Sequence, residues 1–321
     1  MTAGPVAAID IGTISTRLCI LDARAANDAS GTEIRKATVT HTGEGLRSSK
    51  RISADAFDRL RACLIEYRAE IDDAEVQSIS VVATAVARNA SNVAVLSALV
   101  AEVLGVELEV ISGDREAELG FAGAVGGLDA AVVDDRSMVL VIDVGGASTE
   151  FSLGSMRDGF ERGYSADMGA SLLTDAYLFA DPPAADELSA ALSIVELHVD
   201  DVRREVPGLA DALGSSGVIV GVGGTISTMA SVEIGLAAYD RAALHGFGLD
   251  RPAAEDVFRA LATEPAVDRA FNPGLDADRV DLIVGGACVV VETMRQLDID
   301  SITVSQSDLL DALVAEMLET A

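Results

Sequence analysis

The chain carries one motif twice. Residues 8–18 read AIDIGTISTRL and residues 141–151 read VIDVGGASTEF, each an apolar run followed by Asp-x-Gly-x-x-Ser-Thr-x and a returning apolar residue. The aspartates, Asp10 and Asp143, stand 133 residues apart in a chain of 321. An apolar run before each Asp suits a buried strand, and the glycine gives the backbone freedom for a tight turn. Apolar residues return from Arg17 to Leu21 and from Glu150 to Leu153, which completes a β-hairpin in each case. Self-similarity at nearly half the chain length predicts two related domains, each opening on a hairpin. The length agrees, at roughly 150 residues per domain.

Each half continues as alternating strands and helices. Helical spacing of Phe57, Leu60, Cys63, Leu64 and Tyr67, with Ser53 as a cap, predicts a helix over 53–71. Further helices are expected over 92–103, 115–124, 186–206, 225–234, 278–297 and 307–318. Strands are expected over 78–83, 108–112, 218–222 and 302–305. With 4% aromatics and no tryptophan, the cores must be aliphatic. The alanine- and glycine-rich stretch 122–136 marks the junction. No linker separates the halves, so the expected arrangement is domain I over 1–122 and domain II over 123–304, facing each other across a cleft. The terminal helix, within 306–321, is expected to return to domain I.

Charge narrows the function. The formal charge is −29, with residues 123–321 carrying −23 of it. General nucleic-acid binding and anionic-membrane binding are disfavoured, since both need a basic surface. No run of about 18 apolar residues spans a bilayer. The three cysteines, Cys19, Cys63 and Cys288, are far apart in apolar surroundings and read as buried thiols. The opening MTAGPVAAIDIG lacks the basic and apolar regions of a signal peptide, which points to a cytoplasmic protein.

Several motifs together carry a family resemblance. Asp10-Ile-Gly-Thr-Ile-Ser-Thr-Arg17 and Asp143-Val-Gly-Gly-Ala-Ser-Thr-Glu150 resemble the two phosphate loops of the exopolyphosphatase / guanosine pentaphosphate phosphohydrolase (Ppx/GppA) family. Thr84 to Asn92, Ile111 to Leu119, Gly221 to Thr225, His245-Gly246 and Arg279-Val-Asp281 resemble its later landmarks in the same order. The resemblance implies an α/β fold of two similar actin-like (ribonuclease H-like) domains, in the sugar-kinase and Hsp70 ATPase superfamily. Three positions depart from the family pattern: Ala147 replaces a third glycine, Arg115 replaces the first of two glutamates, and the segment from Gln306 to Asp311 matches loosely. Stopping at 321, the chain resembles the short two-domain branch.

The chemistry follows from the residue types. Gly12, Thr13, Ser15 and Thr16 form the first loop, and Gly145, Gly146, Ala147, Ser148 and Thr149 the second. Gly223, Gly224 and Thr225 form a third at a helix start. Such loops can converge backbone N–H groups on phosphate oxygens. Asp10, Asp143 and Glu150 are either turn-capping carboxylates or ligands of Mg2+, which keeps waters while using one or two carboxylates. Arg88, framed by Thr84 and Asn92, is either a phosphate clamp or a structural ion pair. Arg17 is either a phosphate contact or a solvent-facing strand residue, and His245 either a structural hydrogen bond or a substrate contact. On position alone Glu116, like Asp114 and Glu118, complements a helix dipole; the resemblance implies that it is the general base. Residues 34–54 are locally basic, with Arg35, Lys36, Arg47, Lys50 and Arg51 against Glu44 alone. They form either a phosphate-binding lip or a solvated loop.

These features lead to a Mg2+-assisted hydrolase that releases terminal phosphate from inorganic polyphosphate, guanosine pentaphosphate or both. A homodimer is one expectation for its assembly. The rival readings are a sensor of a phosphorylated alarmone, which Ala147 and Arg115 favour, and a phosphotransferase of the same superfamily.

Overall fold

The computed structural model describes residues 4–22, 33–128, 137–214 and 217–320. By its internal contacts the chain divides into two compact units, Met1–Leu119 with Leu309–Ala321, and Gly120–Asp308.

The first unit is built on a five-stranded sheet. Strands β1 (Val6–Ile11), β2 (Ser15–Leu21) and β3 (Glu33–Val39) form an antiparallel meander. β4 (Ser78–Ala83) and β5 (Leu108–Val110) add parallel to β1, giving the order β3-β2-β1-β4-β5. The connections supply α1 (Leu46–Ser49), α2 (Ala54–Asp73), α3 (Ala85–Arg88) and α4 (Val93–Leu104), and α5 (Gly113–Gly126) follows. Ser53 caps α2 as its position predicts, its hydroxyl accepting from the Ala56 N–H at 3.1 Å. Every residue of β1 is buried, as expected of a parallel-sheet strand covered on both faces. Ile9 and Leu18 meet Leu60, Leu64 and Tyr67 of α2 and Leu96 and Val100 of α4.

The second unit repeats this plan. β6 (Met138–Val144), β7 (Thr149–Ser155) and β8 (Gly159–Ala166) form the meander. β9 (Val218–Val222) runs parallel to β6, β10 (Gly248–Asp250) lies at the edge, and β11 (Ser301–Val304) sits between them, in the order β10-β11-β9-β6-β7-β8. The run β8-β7-β6-β9-β11 therefore matches β3-β2-β1-β4-β5 strand for strand, with β10 added. Both units are α/β with one topology, as the duplicated motif predicts.

Helices α6 (Ala170–Tyr177), α7 (Ala185–Glu205), α8 (Leu209–Ala212), α9 (Gly224–Ile234), α10 (Arg241–Leu244), α11 (Arg251–Thr263), α12 (Ala266–Arg269) and α13 (Ile283–Gln296) complete the second unit. From Ile283 to Met294 every residue of α13 is buried, which accounts for its apolar run from Ile283 to Val291. The helix expected over 278–297 starts later, because Ala277–Arg279 close a 3-10 turn with tighter bonds such as Arg279 N–H to the Asp276 carbonyl.

The division between units falls at Leu119/Gly120, within α5, three residues before the junction expected at 122/123. Residues 129–136 of the alanine- and glycine-rich stretch lie outside the described residues. The second unit runs on to Asp308, beyond the expected 304. The terminal helix α14 (Leu309–Thr320) packs Leu310, Leu313 and Val314 on Val6, Ala8 and Val82 of the first unit's sheet. All three cysteines are buried, and burial pushes the Cys63 and Cys288 thiols up, the latter to about 12. Among the described residues no helix is long and apolar enough to cross a membrane.

Tyr67 ties helix to sheet. Fully buried, its hydroxyl donates to the Thr16 carbonyl at 2.8 Å and lies 3.1 Å from the Thr38 hydroxyl. Tyr67→Phe should lower the unfolding free energy by about 1–2 kcal/mol in urea denaturation, since it strands a buried acceptor. An unchanged midpoint would show that the bond contributes nothing.

Candidate active site

The two hairpin turns are built alike. The Gly12 N–H donates to the Ser15 carbonyl and the Gly145 N–H to the Ser148 carbonyl, both at 3.0 Å. In the first turn the Thr13 carbonyl accepts from the Gly43 N–H at 2.9 Å; in the second the Gly146 carbonyl accepts from Leu172 N–H at 3.1 Å. A trans peptide points its N–H opposite its carbonyl. The Ile14 and Ala147 N–H groups are thereby turned away from those supports, and neither donates to another described residue. Such N–H groups suit an anion. Ala147 occupies the position of Ile14, where a larger side chain is accommodated, so the missing third glycine leaves the turn intact.

The strand pairs beneath the turns differ. In the first unit Asp10 faces Arg17 across β1 and β2. The guanidinium grips one carboxylate oxygen, Nη2 at 2.6 Å and Nε at 3.1 Å from Oδ2. In the second unit Asp143 faces Glu150 across β6 and β7. The Glu150 carboxylate is buried and accepts from the Ser165 hydroxyl at 2.7 Å.

Glu116 lies in the first turn of α5, with its side chain 13% exposed. Arg88 closes α3 and donates Nη1 to both the Ile111 carbonyl at 3.0 Å and Glu116 Oε2 at 2.7 Å. Burial raises the Glu116 pKa above the usual carboxylate value; Arg88 and then Arg17 pull it down, and the Asp10 charge adds to the rise. Asp10, Arg17, Arg88 and Glu116 thus form one electrostatic group within the first unit. Arg88 is ion-paired with the candidate base.

The third loop follows β9. Gly223 has φ 93° and ψ 162°, a conformation essentially confined to glycine. A Cβ there would fall 2.7 Å from Asp143 Oδ1. The Arg279 guanidinium lies so close to Gly224 that a Cβ would run into it. Arg279 is the cation at this loop that motif reading did not assign to the site; its signal was the Arg279-Val-Asp281 landmark.

Other expected site residues are committed elsewhere. Thr16 shares a buried 3.0 Å hydrogen bond with Thr40, and the Thr149 hydroxyl donates to the Met168 carbonyl at 2.6 Å. Both are fully buried hairpin braces rather than phosphate contacts. Asn92 uses its amide on the main chain of Ile52, accepting at 3.0 Å and donating at 3.0 Å. It therefore positions the 40–52 segment instead of framing a phosphate. Thr84, Ser148 and Thr225 are buried beside the loops, while Thr13 and Ser15 are partly exposed. His245 is structural, with Nε2 2.8 Å from the Gly127 carbonyl and Nδ1 accepting from the Gln306 N–H at 3.1 Å. Arg115 is bound to Glu118 and to Glu316 of α14, so its replacement of a glutamate serves that packing.

For a divalent cation the donor set divides. Asp10 gives one carboxylate oxygen, Oδ2, to Arg17, and its other oxygen stays buried in the hairpin. Like charges directly opposite on paired strands repel, and a hard cation would relieve that repulsion at Asp143 and Glu150. Among the described residues no three His, Cys, Asp or Glu side chains gather into a metal site. Two carboxylates with waters and phosphate oxygens nevertheless fit Mg2+.

Fold and turns together define a class: a two-domain α/β protein of actin-like topology, each domain opening on a phosphate-type hairpin. The sequence profile of the Ppx/GppA phosphatase family matches residues 32–321, and the chain belongs to that family. It is 36% identical over 326 residues to exopolyphosphatase 2 of Mycobacterium tuberculosis, covering 97% of this chain and 98% of the relative. An exopolyphosphatase-like protein of known crystal structure superposes with a TM-score of 0.88 at 27% identity, covering 98% of this chain and 99% of that one. The Aquifex aeolicus family member gives a TM-score of 0.77 at 26% identity, covering 99% and 98%.

Gly223→Ala should cost about 1–3 kcal/mol of stability in urea, the scale of one forced backbone conformation. An unchanged stability would show that the loop relaxes around a Cβ.

Proposed function

We propose that the protein is an exopolyphosphatase that hydrolyses the terminal phosphoanhydride of inorganic polyphosphate, with Glu116 as general base. Guanosine pentaphosphate ends in the same kind of bond and is proposed as a second substrate. The observation that carries this reading is Glu116 itself, nearly buried, raised in pKa and held by Arg88 at 2.7 Å beside a phosphate-type turn. A base tuned upward toward the working pH is what proton abstraction from water favours.

In the proposed reaction a water oxygen attacks the terminal phosphorus while the bond to the bridging oxygen breaks. The Glu116 carboxylate takes the proton, and the shortened chain leaves on the bridging oxygen. Arg88 holds Glu116 by one oxygen and opposes the rise in its pKa that burial causes. Arg17 neutralises Asp10, so that the first turn does not confront phosphate with an uncompensated carboxylate. Within the first unit the turn N–H group of Ile14 receives phosphate oxygens; the second unit offers a like anion-binding N–H at Ala147, and Arg279 adds positive charge at its third loop. Asp143 and Glu150 would hold Mg2+, which when bound neutralises charge on phosphate oxygens.

Orthophosphate release from polyphosphate, with Mg2+ and no acceptor, tests the reading. Glu116→Gln should lower kcat by roughly 10²–10⁴-fold while retaining substrate binding. Asp143→Asn should lower turnover by roughly 10²-fold, as loss of a preorganised electrostatic interaction does. The acid limb of kcat/KM should lie above the ordinary glutamate range, because the active form is the ionised base and activity rises through its raised pKa. Strict dependence on an acceptor or on ATP would instead indicate a phosphotransferase, and binding without turnover a sensor.

A further inference from the structure

The acidic chain leaves three cations together. Among the described residues nearly every arginine is committed: Arg35 to Glu33 and Asp311, Arg59 to Glu44, Arg88 to Glu116, Arg269 to Asp181. Lys36 is taken by Glu70. Arg47, Lys50 and Arg51 are exposed and have no acidic partner among the described residues. Glu44, three residues before Arg47, is drawn off by Arg59 at 2.7 Å, and neither Asp55 nor Asp58 pairs with Arg47, Lys50 or Arg51. With 52 acidic residues available, this local lack of counter-charge requires a reason.

The segment bearing them is fixed, and its anchors are elements of the candidate site. At one end the Gly43 N–H binds the Thr13 carbonyl, and the Thr40 and His41 N–H groups bind the Ile14 carbonyl at 2.9 and 2.8 Å, all in the first phosphate-type turn. Arg59 secures the same end through the Thr40 and His41 carbonyls. At the other end the Lys50 carbonyl accepts from the Ser91 N–H and hydroxyl, at 2.8 and 2.7 Å, and Ile52 is held by Asn92. Ser91 and Asn92 follow directly on the α3 turn that carries Arg88. The three cations are thus carried on a bridge between the turn and the element that holds the base.

We propose that Arg47, Lys50 and Arg51 form a subsite for phosphate groups distal to the scissile one, so that the protein favours long linear polyphosphate over short chains. The proposal rests on the hydrolase reading above, and it names the feature that selects chain length. Three unpartnered cations within five residues of sequence match a repeating anion, and the more phosphates a chain carries beyond the turn, the more of them these cations can meet. Binding realised away from the reacting bond appears in KM and not in kcat.

The test is the triple variant Arg47→Gln, Lys50→Gln, Arg51→Gln, assayed with long-chain polyphosphate and with tripolyphosphate. KM for the long chain should rise roughly tenfold, the scale of removing a few exposed ion pairs together. For tripolyphosphate KM should move less than about twofold, and kcat should hold on both. The difference should collapse near 1 M salt, where the screening length is about 3 Å. The triple exchange Arg47→Lys, Lys50→Arg, Arg51→Lys should retain the wild-type preference. Equal KM changes for the two substrates, or none, would overturn the subsite. Binding of both polyphosphates to Glu116→Gln protein, with and without the triple variant, decides the subsite even if the wild type releases no phosphate. That failure would overturn the hydrolase reading alone.

Discussion

A carboxylate withdrawn from water loses the hydration that favours its charge, and Glu116 is withdrawn until 13% of its side chain is exposed. Arg88 opposes that loss with a 2.7 Å ion pair and is itself aimed by the Ile111 carbonyl at 3.0 Å. The balance between burial and this one guanidinium decides whether the group is an inert acid or a usable base. Much of the first unit serves that balance. The α3 turn follows β4 and sets Arg88, β5 leads into α5 and sets Glu116, and Arg17 on β2 keeps the Asp10 charge from tipping it further.

Duplication and divergence explain how two units of one topology come to differ in chemistry. The turns share the same closing hydrogen bond at 3.0 Å, and their supports, Gly43 and Leu172, fix the following peptide in the same sense. The residue opposite the aspartate has changed, to Arg17 in one unit and Glu150 in the other. One hairpin is therefore internally neutralised, while the other keeps two acidic side chains facing across its strands. A single position converts a closed ion pair into a candidate cation site.

The hairpins, the parallel strands and the helix at 53–71 were legible because their signals are local: an apolar run, a glycine, a capping serine, a period. Glu116 was marked as a candidate base only through motif order, since an acid in a helix's first turn looks the same whether it complements a dipole or abstracts a proton. What escaped depends on pairings far apart in sequence. Nothing near Asn92 announces that its amide pairs with Ile52, forty residues earlier. Nothing in Asp10 or Arg17 separately announces their pairing, although strand register implies it once the hairpin is drawn. The start of α13 was misplaced because a 3-10 turn and a helix share the same apolar spacing over so few residues.

Direct titration of the Glu116 carboxyl by carbon-13 NMR, assigned by its loss in Glu116→Gln, tests the balance itself. Burial opposed by a single guanidinium predicts an apparent pKa above the ordinary glutamate value in the wild type. Arg88→Met should move it higher still, because the guanidinium lowers what burial raises. A Glu116 that titrates at or below the ordinary value, or that is indifferent to Arg88, would contradict the claim that burial against one arginine makes the base.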